Sequence, residues 1–201
     1  MGSRPFLLQM AGISGTGKST LARLIGQRTG AVVIDLDVVK SAALDAGAPW
    51  DLAGRIAYGA SWALADSLLE QGGSVVLDSP CRFQQIVDEG SAIARRRAAV
   101  FAYIECVVAD ETELRRRVRH RARLRSQMHD LGVPPPDAPR DAYRAQIEAF
   151  GPAVLETKVP TSPWLRIDTS GPPDRCLARA LEYLDRLGAA CGAQRVSGDA
   201  R

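Results

Sequence analysis

The sequence predicts one α/β domain, a parallel β-sheet with helices on both faces. Two observations carry this. Short apolar runs alternate with longer amphipathic segments, the pattern of strands joined by crossover helices. The apolar runs also lack the period-two alternation of a half-solvated sheet, so they are expected to be covered on both faces. With 201 residues, 46% of them apolar and 24% charged, the chain has the size and composition of a single globular domain. A chain of this length buries roughly 70% of its unfolded surface, enough for a core without disulfides or a structural metal.

The elements follow in order. Strands are predicted over residues 6–11, 31–36, 74–77, 100–107 and 164–167, each bounded by Gly, Asp, Ser or Pro. Helices are predicted over 18–28, 52–71, 83–97, 111–125 and 175–190, where apolar residues recur at spacings of three and four. Asp110 ahead of Glu113 supplies an N-cap with an acidic residue at the third helical position, and Gly72-Gly73 and Gly188 mark helix ends. The run from Val133 to Pro139 is too rich in proline for a helix and reads as a stiff connection or part of a flap. Residues 192–201 read as a disordered tail.

Charge and cysteine usage exclude several function classes. The net charge is only +3, too small to argue for non-specific polyanion binding. The basic residues are 23 Arg and three Lys, and seven of the Arg fall between Arg115 and Arg125. Cys81, Cys106, Cys176 and Cys191 lie far apart with no C-x-x-C pair, so they are read as reduced and neither zinc-binding nor redox-active. The apolar stretch after Pro5 is too short for a signal peptide. No window approaches the ~20 apolar residues of a membrane span, and a cytoplasmic location is expected.

The strongest chemical signal is Gly12-Ile13-Ser14-Gly15-Thr16-Gly17-Lys18-Ser19-Thr20, a complete G-x-x-x-x-G-K-S phosphate loop between a strand and a helix. Its glycines let successive N–H groups turn toward a β-phosphate, and the helix N-terminus adds its positive end. Lys18 reaches the β- and γ-oxygens, and the Ser19 hydroxyl ligates Mg²⁺.

Open parallel sheets bind ligands beyond the carboxyl ends of their strands, which singles out Asp35, Asp37 and Asp78. Asp78 follows Val75-Val76-Leu77 in a Walker B pattern. On an extended segment Asp35 and Asp37 face the same way, so both are expected to point into one cleft. One serves the metal and the other the substrate, where a carboxylate beside an acceptor hydroxyl takes its proton. The competing reading is that these aspartates cap the helices that follow.

Together these motifs resemble the nucleoside-monophosphate-kinase-like group of P-loop kinases over roughly residues 6–188. Asp35 and Asp37 are similar to the D-x-D of shikimate kinase, whose second Asp holds the acceptor hydroxyl. Asp37-Val38-Val39-Lys40 resembles the D-x-x-R of polynucleotide-kinase-type enzymes, with Lys40 in place of the Arg. Leu77 to Arg82 resembles the L-D-G-x-P-R segment of adenylate kinase, with Ser79 for the Gly, and implies a substrate contact at Arg82. Leu114 to Arg121 resembles the L-x-x-R-V-x-x-R that opens the lid in this group. That resemblance implies Arg117 beside adenine and Arg121 on the phosphates, with Arg125 a second candidate for the latter role. Asp168-Thr169-Ser170 resembles the loop that packs beside the base. Gluconate kinase and chloramphenicol phosphotransferase are further similar proteins.

The resemblance implies a three-layer P-loop domain over residues 1–191, strand order 2-3-1-4-5, with an Arg-rich lid over about 115–140. It implies an ATP-dependent kinase transferring the γ-phosphate to a small-molecule hydroxyl on a sugar, cyclitol, nucleoside or antibiotic. Lys18, Asp37, Arg121 and Arg125 are the expected catalytic residues. Gly12, Ser14, Gly15, Thr16, Gly17, Lys18, Ser19, Thr20, Arg117, Asp168 and Thr169 bind the nucleotide. Ser19 with Asp35 or Asp78 holds Mg²⁺, and Asp37, Lys40, Arg55, Asp78 and Arg82 face the acceptor. Trp50, Tyr58 and Trp62 cluster with Arg55 in the region covering it. The alternatives are a polynucleotide 5′-hydroxyl kinase or RNA-repair domain, which the Arg cluster favours and the low net charge opposes, and a nucleotide-binding ATPase switch without an acceptor. No membrane partner is expected, and the protein is expected to be a monomer or homodimer.

Overall fold

A computed structural model describes residues 4–141 and 157–189. The predicted tail, Cys191 and part of the 1–191 domain lie outside the described residues. Five parallel strands form one sheet, β1 (Phe6–Ala11), β2 (Val32–Asp35), β3 (Val75–Asp78), β4 (Val100–Val107) and β5 (Leu165–Asp168), in the order β2-β3-β1-β4-β5. Among the described residues the named helices are α1 (Lys18–Thr29), α2 (Leu36–Asp45), α3 (Trp50–Glu70), α4 (Gln84–Arg96), α5 (Glu111–His120) and α6 (Pro173–Arg186).

Central β1 is buried at all six positions, and its alternation divides the core. Phe6, Leu8 and Met10 pack with Leu21 and Ile25 of α1 and Ala180 and Leu184 of α6 on one face. Leu7 packs on the other with Ala65 and Leu69 of α3 and Ile93 of α4. Each fully buried Leu or Ile adds roughly 1.5–3 kcal/mol over its exposed state. The expectation of two covered faces holds for β1 and β3. It fails at the sheet edges, where Val32 of β2 and Asp168 of β5 are exposed.

Two elements differ from the sequence reading. The second strand, expected to reach residue 36, ends at Asp35 and passes directly into α2, a helix the sequence reading did not propose. The helix expected over 111–125 stops at His120, with Arg121 its extended C-cap residue at ψ 150°. The proline-rich run is non-helical, closed by a turn from Ala138 N–H to the Pro135 carbonyl at 3.0 Å.

Candidate active site

The register sets the site. Asp35 is paired with Asp78, and Asp78 with Met10, so both carboxylates sit at the carboxyl ends of strands flanking the start of the phosphate loop. The loop is held in a shape that needs its glycines. Gly12 has φ +133°, and a Cβ there would lie 2.4 Å from the Cys106 carbonyl oxygen and 2.6 Å from Thr16 Oγ1. Gly17, at φ 74°, is the N-cap of α1 and has no side chain to cap it, so the first-turn N–H groups are left for a ligand. Thr16 bonds back to the Ile13 carbonyl at 2.8 Å, and Thr169 Oγ1 donates to the Thr16 carbonyl at 2.6 Å. The loop after β5 thus braces the phosphate loop.

A cleft of about 940 Å³ opens over this loop, lined by Lys18, Ser19, Asp35, Arg117, Arg121 and Thr169 among others. Lys18 is only 8% exposed. Arg117 forms one wall, held by Glu113 at 2.7 Å and donating to the Thr169 carbonyl at 3.2 Å. Arg121 is the contrast. Its Nε and Nη2 are sealed from solvent and have no hydrogen-bond partner among the described residues. Burial lowers its pKa, opposed by the negative charges of Asp37 and Asp35. Enclosed guanidinium nitrogens without partners are costly, and an anion in the cleft would relieve that cost.

Five of the other arginines between Arg115 and Arg125 are already paired, while Arg123 lines the cleft. Arg115 binds Glu111, Arg116 and Arg117 share Glu113, and Arg119 binds Asp130. Arg125 is clamped to Asp137 at 2.8 Å and Asp45 at 3.2 Å, and donates to the Leu44 carbonyl at 2.9 Å. Its donors tie the segment after α5 to the end of α2, so this geometry corrects the expectation that Arg125 reaches the phosphates.

The three aspartates converge differently from expectation. Asp37 does not continue a strand. It lies in the first turn of α2, and Asp35 is that helix's N-cap, accepting the Asp37 N–H at 2.9 Å. The capping reading was therefore right for Asp35, and the argument from strand alternation does not hold. Even so, Asp35 remains in the cleft, its pKa raised first by burial and then by the charges of Asp78 and Asp37. Asp78 is 3% exposed, and its Oδ1 has no partner among the described residues.

This donor set fits Mg²⁺. Among the described residues no three His, Cys, Asp or Glu side chains form a closed metal cage. Magnesium needs none, since it keeps several waters and takes one or two carboxylates together with substrate phosphates.

Asp37 has partners that the sequence reading missed. Ser126 Oγ donates to its Oδ1 at 3.1 Å and Gln127 Nε2 to its Oδ2 at 2.9 Å. Ser126 is anchored in turn by Ser41 of α2, whose Oγ accepts the Ser126 N–H at 3.0 Å. These contacts span 85 to 90 residues, and only their place just beyond the Arg cluster hinted at them.

Among the residues expected to face an acceptor, Lys40 stands 3.2 Å above the Trp50 ring centroid. Burial pushes its pKa down to about 8, with the Arg82 charge also lowering it and Asp37 and Asp51 opposing. Arg82 has an enclosed Nε without a partner among the described residues. Tyr58 and Trp62 pack at 5.6 Å, and Trp62 also joins the core. Arg55 is exposed on α3 and is not drawn into this group. Asp168 is also exposed and caps Ser170 N–H at 2.9 Å, whereas Thr169 lines the cleft. Ser14 and Thr20 lie in the loop and first turn of α1, and Thr20 lines the cleft.

A family model described as an AAA domain matches residues 7–152. No protein of curated function matches the sequence. Among solved structures, a putative kinase from Chloroflexus aurantiacus j-10-fl superposes with a TM-score of 0.63 at 18% identity, covering 92% of this chain and 99% of that one. The Mycobacterium tuberculosis APS kinase CysC, in complex with AMPPNP and APS, gives 0.60 at 18% identity, with 92% and 99% covered. A gluconokinase from Sinorhizobium meliloti 1021 gives 0.59 at 20% identity, with 93% and 95% covered. The fold expected from the sequence is thus the fold of P-loop small-molecule kinases, and no described helix is long and apolar enough to cross a membrane. The chain belongs to the AAA domain family of P-loop proteins.

Proposed function

We propose that the protein is an ATP-dependent kinase that transfers the γ-phosphate to a hydroxyl of a small molecule. The observation that carries this reading is a single cleft in which the phosphate loop and Lys18 meet Asp35 and the unpartnered Arg121. The Gly17 turn and first-turn N–H groups of α1 bind the β-phosphate, and Lys18 bridges β- and γ-oxygens. Ser19 with Asp35 or Asp78 would hold Mg²⁺. When bound, Mg-ATP supplies the transferable phosphoryl group and neutralises charge on it.

Asp37 orients the acceptor hydroxyl and receives its proton. Each of its oxygens takes one hydrogen bond from the segment after α5, and an ionised carboxylate has about four acceptor sites, so an alcohol can still bind there. Arg121 stabilises charge on the transferring group, and Arg117 flanks the base. Lys40 and Arg82 face the acceptor, which the solved structures of gluconokinase and APS kinase support only as a small molecule of some kind. ATP as donor is supported by AMPPNP in the APS kinase complex. The polynucleotide reading is less favoured, because Arg115, Arg116, Arg117, Arg119 and Arg125, five of the seven arginines in the cluster, are paired to carboxylates.

The test is Lys18→Ala. ADP formation with a panel of hydroxyl compounds should fall by orders of magnitude while the thermal midpoint stays near that of the wild-type protein. Wild-type turnover in this variant would remove the mechanism.

A further inference from the structure

Behind Asp78 lies a small chamber that the proposed mechanism does not use. Its lining includes the polar side chains of Gln9, Ser61, Asp78 and Ser79, set among Tyr58, Trp62 and apolar residues of β2, α2, β3 and α4. Gln9 is 0%, Ser61 4%, Asp78 3% and Ser79 5% exposed, so four polar side chains meet within the core. A glutamine at the centre of the middle strand is unusual, and its amide orientation is set by its donors. Nε2 donates to the Met10 carbonyl at 2.7 Å and to Ser79 Oγ at 2.9 Å. That leaves Gln9 Oε1 without a partner, and Ser61 Oγ and Asp78 Oδ1 are likewise enclosed and without one among the described residues.

The three atoms form a complementary set. Gln9 Oε1 and the carboxylate Oδ1 only accept, while the Ser61 hydroxyl has a hydrogen to donate. One water gives two hydrogens and takes one, which satisfies all three. The chamber's volume of about 10 Å³ matches one water, for which roughly 10–15 Å³ and two to four polar partners are needed.

We infer that the chamber binds a single structural water, donating to Gln9 Oε1 and Asp78 Oδ1 and accepting from Ser61 Oγ, and that Gln9 and Ser61 are thereby positioning residues for Asp78. The water fixes the inner carboxylate oxygen and so sets the direction of the outer one toward the phosphate loop. It also ties α3, which carries Tyr58 and Trp62, to the end of β3. The role toward magnesium rests on the proposed function; the water site does not.

Two measurements test this. A crystal structure at about 1.8 Å should show one ordered water within about 2.7–3.2 Å of all three oxygens. Ser61 Oγ bonded directly to Asp78 or Gln9, with no water between, would overturn the site. In solution, Ser61→Ala should raise the Mg²⁺ concentration for half-maximal binding of a fluorescent ATP analogue by roughly three- to tenfold, with metal-free nucleotide binding unchanged. An unchanged Mg²⁺ requirement in a folded Ser61→Ala protein would overturn the positioning role. Failure of the wild-type protein to bind Mg-nucleotide at all would instead sink the kinase reading and leave the crystallographic water standing.

Discussion

Asp37 accepts from Ser126 at one oxygen and from Gln127 at the other, so the proposed base is held by the segment that follows the α5 arginines. Asp37→Asn removes proton acceptance while keeping size. Its nucleotide affinity should hold, and acceptor phosphorylation should fall by a factor on the order of 10² to 10⁴, the range for losing a positioned general base. Gln127→Ala separates two consequences of this contact. If Gln127 aligns the carboxylate, kcat falls severalfold with little change in KM, and this is the expected result. A rise in kcat/KM would show that Gln127 instead obstructs the acceptor. Lys40 gives a pH test. Its folded pKa, about 8, lies below the ordinary value of 10.5, so the unfolded chain binds more protons between these two values and stability should rise with pH across that window. Denaturant midpoints measured from pH 7 to 10 should show this rise in the wild-type protein and less of it in Lys40→Met. That Lys18, Arg117 and Thr169 share one cleft was legible because each lies in a local motif. Ser126 and Gln127 were not, because their partner is about 90 residues away in the chain.

Among the elements, the phosphate loop and α1 were readable from spacing alone, since the glycines, the strand before them and the helix after them all point to one geometry. The start of α2 was not. An edge strand of four residues runs into it with no intervening turn, and β-branched Val38-Val39 favours neither reading. The Asp35 cap decides the matter through a bond that the spacing alone did not reveal. Gly12 makes a strong element-scale prediction. Gly12→Ala would drive its Cβ into the Cys106 carbonyl and force a backbone shift, so nucleotide binding should be lost and the melting temperature lowered. Arg125 distinguishes a strut from a phosphate ligand. Arg125→Ala should speed limited proteolysis within residues 121–141 severalfold and leave kcat within a few fold. A loss of kcat by orders of magnitude, with proteolysis unchanged, would restore the phosphate-contact reading. Arg121→Ala should do the reverse, lowering kcat more than it weakens ATP binding.

At the scale of the whole molecule, the order β2-β3-β1-β4-β5 gathers the chemistry at one end of the sheet. Strands β2 and β3 bring their carboxylates to one side of the phosphate loop, and the loop after β5 brings Thr169 to the other. The parallel sheet was legible in the alternation of apolar runs with amphipathic helices, and the strand order through the resemblance to P-loop kinases that the phosphate loop carries. The acceptor was not legible, since the residues proposed to face it come from α2 and the turn after β3, whose mutual packing no local pattern encodes. The central claim is that phosphoryl transfer ends on an alcohol. The most direct measurement follows the γ-phosphate of ATP by ³¹P NMR, with Mg²⁺ and a panel of sugars, cyclitols, nucleosides and aminoglycosides, in wild-type and Lys18→Ala proteins. The predicted result is a new phosphate monoester on one class of alcohol, dependent on Mg²⁺ and absent with Lys18→Ala. Release of inorganic phosphate at one rate whichever alcohol is present, with no phosphoester formed, would contradict it.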